Sequence, residues 1–351
     1  MKKLGIIISI AMLICTGCGR NQKAHNGNAD KWLFTDVVRL KTTPVKDQSS
    51  SQLCWLYAML ATIETERIMM GDSINLSTDF FARSILTQQT RQYFLSNGKK
   101  PINLRGMATM LTPLIQQYGA EPFHSFHAKH KVNMNVLQRK LMRMADAQTS
   151  LAALDSAMQQ LLDQEIAFMP RFIFLLGAEY TPMEFAHSIC TPDDYVALTS
   201  FSHHPFGERF ALEVPDNKHG DTFLNIPIHS LMALIDSALT NGHPVCWEGD
   251  ISEPGFSFTK GIAVTEKTTP NTLQQQRQHL FETRRTTDDH CMTLVGIAND
   301  QQGNRFYIAK NSWGTNNPYG GFMYLSDDYI KLKTICIVIA KKAFNVNKIK
   351  G

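Results

Sequence analysis

The apolar pattern changes near the middle of this 351-residue chain, and the change limits the folds that the chain can adopt. In the first half, apolar residues recur at helical spacing and predict helices over 54–70, 78–94, 105–118 and 135–166. In the second half, short apolar runs between turn residues favour strands, and only 228–240 is typical of a helix. Helices first and strands later predict an α+β protein with two lobes and a cleft between them.

Short segments of the second half have the strand pattern, namely 195–198, 210–214, 245–249, 291–298, 306–311, 321–324 and 334–340. Segment 265–289 contains three consecutive glutamines, and it is the most loop-like stretch of the folded part. It ends directly before His290. Because long loops beside a reactive residue often shape access to it, we expect this segment to border a functional site.

Size and charge exclude one class of partner. With 43% apolar residues, the chain can bury a large core in one domain or in two packed lobes. The formal net charge of +4 falls to +2 (4 − 2) when Lys2 and Lys3 are removed. A nucleic-acid-binding protein would have a larger basic excess, so we expect no nucleic-acid partner. The sequence also predicts no cofactor and no metal.

The chain begins with the pattern of an export signal. Lys2 and Lys3 precede an apolar run over 4–15 that is too short to span a bilayer. The small residues before Cys18 resemble a bacterial lipobox, in which Cys18 becomes the lipidated first residue, although Cys15 stands where Leu is usual. An ordinary signal peptide cut nearby is the alternative. Both predict export to the bacterial cell envelope, as a membrane-anchored lipoprotein or a periplasmic protein.

Composition then divides the chain into four parts. Residues 1–17 are predicted to be the signal peptide, and the polar residues 18–31 a flexible tether. The folded domain is expected over 32–345. A short tail covers 346–351.

Cysteine usage points to a functional thiol. Five cysteines follow the signal region, and an odd number in an exported protein leaves at least one thiol unpaired. Cys190, Cys246 and Cys336 lie in apolar surroundings and are predicted to be inert. Cys291 is expected to point to the side of its strand opposite to that of His290. Cys54 differs, because it lies in the first turn of a predicted helix, where a thiolate is stabilised.

Other residue types required for acyl transfer accompany Cys54. Gln48, six residues earlier (54 − 48), offers a side-chain amide to a developing oxyanion, together with the Cys54 backbone N–H. His290 stands at the start of an apolar strand and can serve as the base. Asn311 ends another strand, where its amide can accept the second imidazole N–H and fix the tautomer, and Trp313 can shield that hydrogen bond from water.

These residues and their contexts resemble the papain family of cysteine peptidases, and within it the bleomycin hydrolase and bacterial aminopeptidase C branch. The family motifs lie at 44–48, 54–55, 290 and 311–314. Further segments resemble the branch, and these are 52–57, 180–185, 193–195, 225–227 and 244–250. His290 follows Cys54 by 236 residues (290 − 54), more than the about 130–150 of compact relatives, which implies an insertion. We place it roughly at 125–190.

The resemblance implies a papain-like two-lobed fold, with a helical lobe carrying Cys54 and an antiparallel β lobe carrying His290 and Asn311. It also implies roles: Cys54 is the nucleophile, His290 the general base and acid, and Asn311 the group that orients His290. Gln48 would donate to the oxyanion and Trp313 would shield the site. Peptides are the implied substrates, and a homo-oligomer is a further expectation.

The sequence does not decide whether the enzyme would remove terminal residues or cleave internal peptide bonds. Members of the branch close one end of the cleft with a C-terminal arm, which favours removal of residues from the amino terminus. Only eleven residues (351 − 340) follow the last predicted strand here. An aminopeptidase is therefore one hypothesis, and an endopeptidase with an open cleft is another. A catalytically silent peptide-binding protein and an enzyme that transfers the acyl group to an amine are further alternatives.

Two histidine groups could suggest a metal site. His124, His127 and His130 do not share one helical face, and lysines intervene, so we interpret them as a solvated basic loop. The same interpretation is given to His203 and His204.

Overall fold

The computed structural model describes residues 32–175 and 177–344. The predicted signal peptide, Cys18, the tether and the tail lie outside these residues. Among the described residues, those from Phe34 onward belong to one compact unit. The two predicted lobes are therefore two sides of one domain.

The described residues form nine α-helices, most of them in the first half of the chain. These are α1 (Cys54–Met69), α2 (Thr78–Leu95), α3 (Leu111–Tyr118), α4 (Met134–Asp146), α5 (Leu151–Glu165), α6 (Pro182–Ile189), α7 (Ile228–Thr240), α8 (Leu273–Glu282) and α9 (Asp327–Lys333). The predicted α1, α2 and α7 are confirmed with ends within one residue. None of the helices in the described ranges is both long and apolar enough to cross a bilayer.

Thirteen strands are formed by the described residues. These are β1 (Phe34–Arg39), β2 (Ile173–Leu175), β3 (Ala178–Tyr180), β4 (Tyr195–Thr199), β5 (Arg209–Ala211), β6 (Thr222–Asn225), β7 (Val245–Gly249), β8 (Phe256–Ser257), β9 (Ile262–Ala263), β10 (His290–Asp300), β11 (Arg305–Lys310), β12 (Phe322–Ser326) and β13 (Thr334–Ala340). All seven predicted strands are present. The predicted α+β class is confirmed.

One large sheet carries the second half of the chain. Its order is β5-β6-β4-β13-β7-β10-β11-β12-β9-β8, with β1 beside β10. The pairs are antiparallel except for β4 with β6 and β9 with β12. In the central pair of β10 with β7, His290 lies opposite Gly249 and Cys291 opposite Glu248. The hairpin of β2 and β3 is separate from this sheet.

Helix α1 is central to the fold. Eleven of its sixteen residues are buried, and a helix that is buried on all sides belongs to the core. The indole N–H of Trp55 donates to the Leu104 carbonyl at 2.9 Å, and the Thr293 hydroxyl of β10 donates to the Ala58 carbonyl at 2.8 Å. The second bond fixes the first turns of α1, which begins at Cys54, relative to β10, which begins at His290.

A buried ion cluster holds the segment that leads to Gln48 against α1. Glu64 is fully buried, and its carboxylate accepts from Lys46 Nζ at 2.7 Å and from the Thr43 hydroxyl at 2.5 Å. Lys310 donates to the same hydroxyl at 2.6 Å, and burial lowers the pKa of its ammonium to about 8. Because an unpaired buried charge is costly, this cluster fixes the path of the chain just before the site.

The prediction that 265–289 is loop-like is wrong, because it contains α8. This helix is polar, yet Arg277 is 1% exposed and donates to the carbonyls of Lys331 at 2.6 Å and Thr334 at 2.7 Å. Gln278 accepts from the Ser202 N–H at 2.7 Å. Since hydrogen bonds rather than an apolar stripe bury α8, no helical periodicity signals it.

Other predicted boundaries also differ. The single helix expected over 135–166 is two helices, because Ser150 starts a new one by accepting from the Ala153 N–H at 3.2 Å. The helix expected over 105–118 begins with a 3₁₀ turn at Ala108–Met110. The strand expected over 210–214 is shifted to Arg209–Ala211. Residues 125–190, where we placed an insertion, contain α4, α5, the β2–β3 hairpin and α6.

Candidate active site

Cys54 opens onto a cleft of about 310 Å³, which Gln48, His290 and Trp313 also line. It is the first residue of α1, and the residue before it, Leu53, provides no side-chain cap. The N–H groups of the first helical turn therefore lie at the positive end of the helix dipole. Cys54 is half-buried, so a substrate can reach its sulfur.

The surroundings of Cys54 favour the thiolate. A hydrogen bond from the Cys291 thiol, followed by one from His290, holds the pKa of the Cys54 thiol well below its usual range, and these effects outweigh burial. Burial raises the pKa of Cys291 well above its usual range, so that residue keeps its proton and can donate. Because the thiolate is the reactive form of cysteine, Cys54 is prepared as a nucleophile at neutral pH.

His290 is oriented by Asn311. Its Nε2 lies 2.7 Å from Asn311 Oδ1, and the same oxygen accepts from the Ser312 N–H at 2.7 Å. Since an amide oxygen only accepts, His290 Nε2 carries the proton and Nδ1 is left for Cys54. The Trp313 ring lies with its centroid 4.7 Å from that of the imidazole, a position from which it can shield the hydrogen bond between His290 and Asn311.

Gln48 has one side-chain N–H that is not used in its hydrogen bonds to neighbouring residues. Its Oε1 accepts from the Ser312 hydroxyl at 2.5 Å, and its Nε2 donates to the Ser51 carbonyl at 2.8 Å. An amide nitrogen has two hydrogens, so one can still point into the cleft. Gln48 is buried and lines the cleft with Cys54, which suits donation to an oxyanion in a site with little water.

Cys291 is the neighbour whose role sequence reasoning missed. Strand alternation predicts that it points away from the side of His290, and it is indeed buried in the apolar core with Cys246 and Cys336. Cys54 packs against this same core. Cys291 therefore lies on the core side of Cys54, and His290 lies on the cleft side.

We expect the variant Cys291→Ala to shift the pH profile of Cys54 alkylation by iodoacetamide upward by about one to two pH units. Alkylation requires the thiolate, so its rate rises as the pH passes through the pKa, and loss of the donor raises that pKa. The matched variant Cys291→Ser keeps a hydroxyl donor and should remain near the wild-type profile. An unchanged profile in the Ala variant would show that the thiol contact does not stabilise the thiolate.

The other cysteines fit the prediction that they are inert. Cys190, Cys246 and Cys336 are buried and free. Burial raises the pKa of Cys190 to about 12 and also raises those of the other two thiols. None of the three lines the cleft around Cys54.

His203 is exposed and His204 half-buried, in line with the interpretation as solvated side chains, but both also contact an acidic side chain. Their Nε2 atoms lie 3.1 and 2.6 Å from the two oxygens of Glu213, and these three side chains are the one group in the described residues with the spacing of metal ligands. Gln278 Nε2, however, donates to His203 Nδ1 at 3.0 Å. That bond leaves the proton on His203 Nε2, so the group is arranged as a hydrogen-bonded anchor for the loop that carries Glu213.

Comparison with known proteins supports the papain-like interpretation. Residues 173–350 match the model of the Peptidase C1-like family. Aminopeptidase G of Lactobacillus delbrueckii subsp. lactis is 23% identical over 366 residues, which cover 87% of this chain and 82% of that protein. The mitochondrial cysteine proteinase 1 of Saccharomyces cerevisiae is 24% identical over 381 residues, covering 88% of this chain and 77% of that protein.

A solved structure has the same fold. The crystal structure of PepW from Lactobacillus rhamnosis HN001 superposes with a TM-score of 0.65 at 19% identity, over 90% of this chain and 84% of that chain. The fold resemblance stated from the motifs is therefore confirmed.

Proposed function

The chain belongs to the Peptidase C1-like family, and we propose that it is an aminopeptidase that cleaves peptide bonds through a Cys54 acyl-enzyme. That it is a cysteine peptidase follows from the family and from its relatives. The observation that carries the assignment of residues is the continuous arrangement of Cys54, His290 and Asn311, in which each group orients or activates the next.

The geometry supports a two-step reaction. The Cys54 thiolate attacks the carbonyl carbon of the substrate, and the electron pair of the C=O bond moves to oxygen. This oxyanion accepts from the Cys54 N–H and from Gln48 Nε2. The tetrahedral intermediate collapses by breaking the C–N bond, while His290 Nδ1 gives its proton to the leaving amine. The product of this step is a thioester on Cys54.

In the hydrolysis of the thioester, His290 first acts as the base and accepts a proton. His290 Nδ1 takes a proton from a water molecule as the water oxygen attacks the thioester carbon. The C–S bond then breaks, which releases the acid and restores the thiolate beside the imidazolium. Asn311 keeps the imidazole in the required orientation through both steps.

Two relatives with matching length, aminopeptidases G and W of Lactobacillus delbrueckii subsp. lactis, support the choice of an aminopeptidase. We expect peptides with a free amino terminus to be hydrolysed at least about tenfold faster than their N-acetylated forms, because the acetyl group removes the ammonium charge. Product analysis by mass spectrometry measures this directly. Equal rates with internal cleavage would establish an endopeptidase, and tight binding without cleavage would establish a silent peptide-binding protein.

We further propose that the chain is exported and anchored to the bacterial envelope through a lipid on Cys18. Support comes from the charged start, the short apolar run and the small residues before Cys18. The variant Cys18→Ala should move from the membrane fraction to the soluble fraction. Membrane association that is unchanged in this variant would refute the anchor.

A further inference from the structure

Three charged side chains share the cleft with the nucleophile. Arg105, Asp216 and Asp289 line the same 310 Å³ space as Cys54 and His290. That volume lies at the lower end of the about 300–1,000 Å³ that is usual for ligand pockets. The space therefore has room for a short part of a peptide, which would contact these charged groups.

Arg105 and Asp216 form a bridge between the two walls of the cleft. Arg105 Nε donates to Asp216 Oδ1 at 2.7 Å, and Arg105 Nη2 donates to the Asp288 carbonyl at 3.4 Å. The Asp216 N–H donates to Asp288 Oδ2 at 2.9 Å. Arg105 follows Leu104, which is tied to α1 through Trp55, whereas Asp288 lies two residues before His290. The bridge therefore connects the wall of the nucleophile to the wall of the base.

The loop that carries Asp216 is held firmly. Glu213 accepts from His203 and His204, as described above. The side-chain amide of Asn217 donates to the carbonyls of Leu212 and Asp221, both at 2.9 Å. Because these bonds order the loop on both sides of Asp216, its carboxylate is preorganised before any substrate binds.

The position of the bridge determines which part of the substrate meets it. His290 must give its proton to the leaving amine, and Trp313 covers His290, so the leaving part of the peptide extends over Gln48 and Trp313. The acyl part extends to the other side of Cys54. Gln48 is joined to Ser312, the neighbour of Trp313, whereas Arg105 and Asp216 are joined to each other and to Asp288. This separation assigns the bridge to the acyl side.

Resting on the proposed peptidase activity, we propose that the Arg105–Asp216 bridge closes the acyl side of the cleft and that Asp216, aided by Asp289, binds the free ammonium of the substrate's first residue. The charges suit this ligand, because three carboxylates (Asp216, Asp288 and Asp289) outnumber the two neighbouring cations (Arg105 and Lys218), a balance of −1 (2 − 3). An N-acetylated residue has no charge to offer them, and a longer acyl part meets the bridge.

Two variants separate the two parts of this proposal. Asp216→Asn keeps the size of the side chain and removes its charge, so hydrolysis of a peptide with a free amino terminus should fall about tenfold or more relative to its N-acetylated form. Arg105→Ala removes the bridge that closes the acyl side of the cleft. Cleavage of N-acetylated peptides that extend several residues before the scissile bond should therefore rise above the wild-type rate. Asp221→Asn, in the same loop but outside the cleft, should leave both ratios unchanged.

The outcomes distinguish this proposal from the proposed function. If the wild-type enzyme does not prefer free amino termini, the aminopeptidase assignment fails. If it does prefer them and Asp216→Asn keeps the same preference, only the ammonium site is refuted. If Arg105→Ala does not accept longer acyl parts, the closure is refuted. Iodoacetamide labelling of Cys54 in each variant, at the wild-type rate, shows that the catalytic pair is intact and that a change in preference is not a loss of folding.

Discussion

Replacing Cys54 with alanine reduces kcat by about 10⁴-fold or more, to the background rate of peptide hydrolysis. Without the sulfur there is no nucleophile, no thioester forms, and the oxyanion donors have no covalent intermediate to stabilise. Hydrolysis of a fluorogenic peptide with a free amino terminus, measured with the wild-type and variant proteins in reducing buffer, gives this ratio.

The control is another cysteine. Cys190 is buried away from the cleft and is also a free thiol, so Cys190→Ala should retain activity within about twofold. A thermal unfolding curve for each variant separates loss of chemistry from loss of structure, because Cys54 is half-buried at a helix start and its replacement removes little packing. Retention of more than about one hundredth of the activity by Cys54→Ala would contradict the assignment of the nucleophile.

Replacing His290 with alanine lowers kcat/KM by about 10²- to 10⁴-fold, since general acid–base catalysis by one residue contributes that range. The same substitution also changes the pKa of the Cys54 thiol. Loss of the hydrogen bond and charge of His290 raises the pKa of Cys54, so the pH profile of iodoacetamide labelling moves upward. The sign follows from the thiolate being the reactive form, whose fraction at a given pH falls when the pKa rises.

A second histidine provides the matched control for this variant. His243 is also held by a side-chain hydrogen bond, in its case to a carboxylate, with Nδ1 3.0 Å from Glu66 Oε1, but it lies outside the cleft. His243→Ala should leave both the labelling profile and kcat/KM near their wild-type values. If His290→Ala labels at the wild-type rate across the pH range, His290 does not activate the thiol and another base must be sought.

The candidate site could be predicted from local sequence patterns. Cys54 precedes an apolar helical run, His290 starts an apolar strand, and Asn311 ends one. These short contexts follow from what acyl transfer requires, a thiol at a helix start and an imidazole held by an amide. In the structure, Cys54 and His290 line one cleft with Gln48 and Trp313, and Asn311 is hydrogen-bonded to His290. Their catalytic roles stay predictions.

The fold class and most element positions were also predictable, because the apolar spacing of α1, α7 and β13 directly reflects which faces are buried. That reasoning fails where polar groups are buried by hydrogen bonds. Helix α8 is the clearest case, since Arg277 and its neighbours satisfy carbonyls of distant segments and show no apolar stripe.

Residue types and their spacing were enough to predict that a thiol, a base and an orienting amide form one catalytic group. The tertiary structure alone decided what surrounds that group. Cys54 packs against the core that contains Cys291, which is 237 positions away in sequence (291 − 54), and Arg105 bonds to Asp216 across 111 positions (216 − 105). Such contacts depend on how α1, β10 and their loops pack in space, and no local pattern in the chain encodes which side chains that packing brings together.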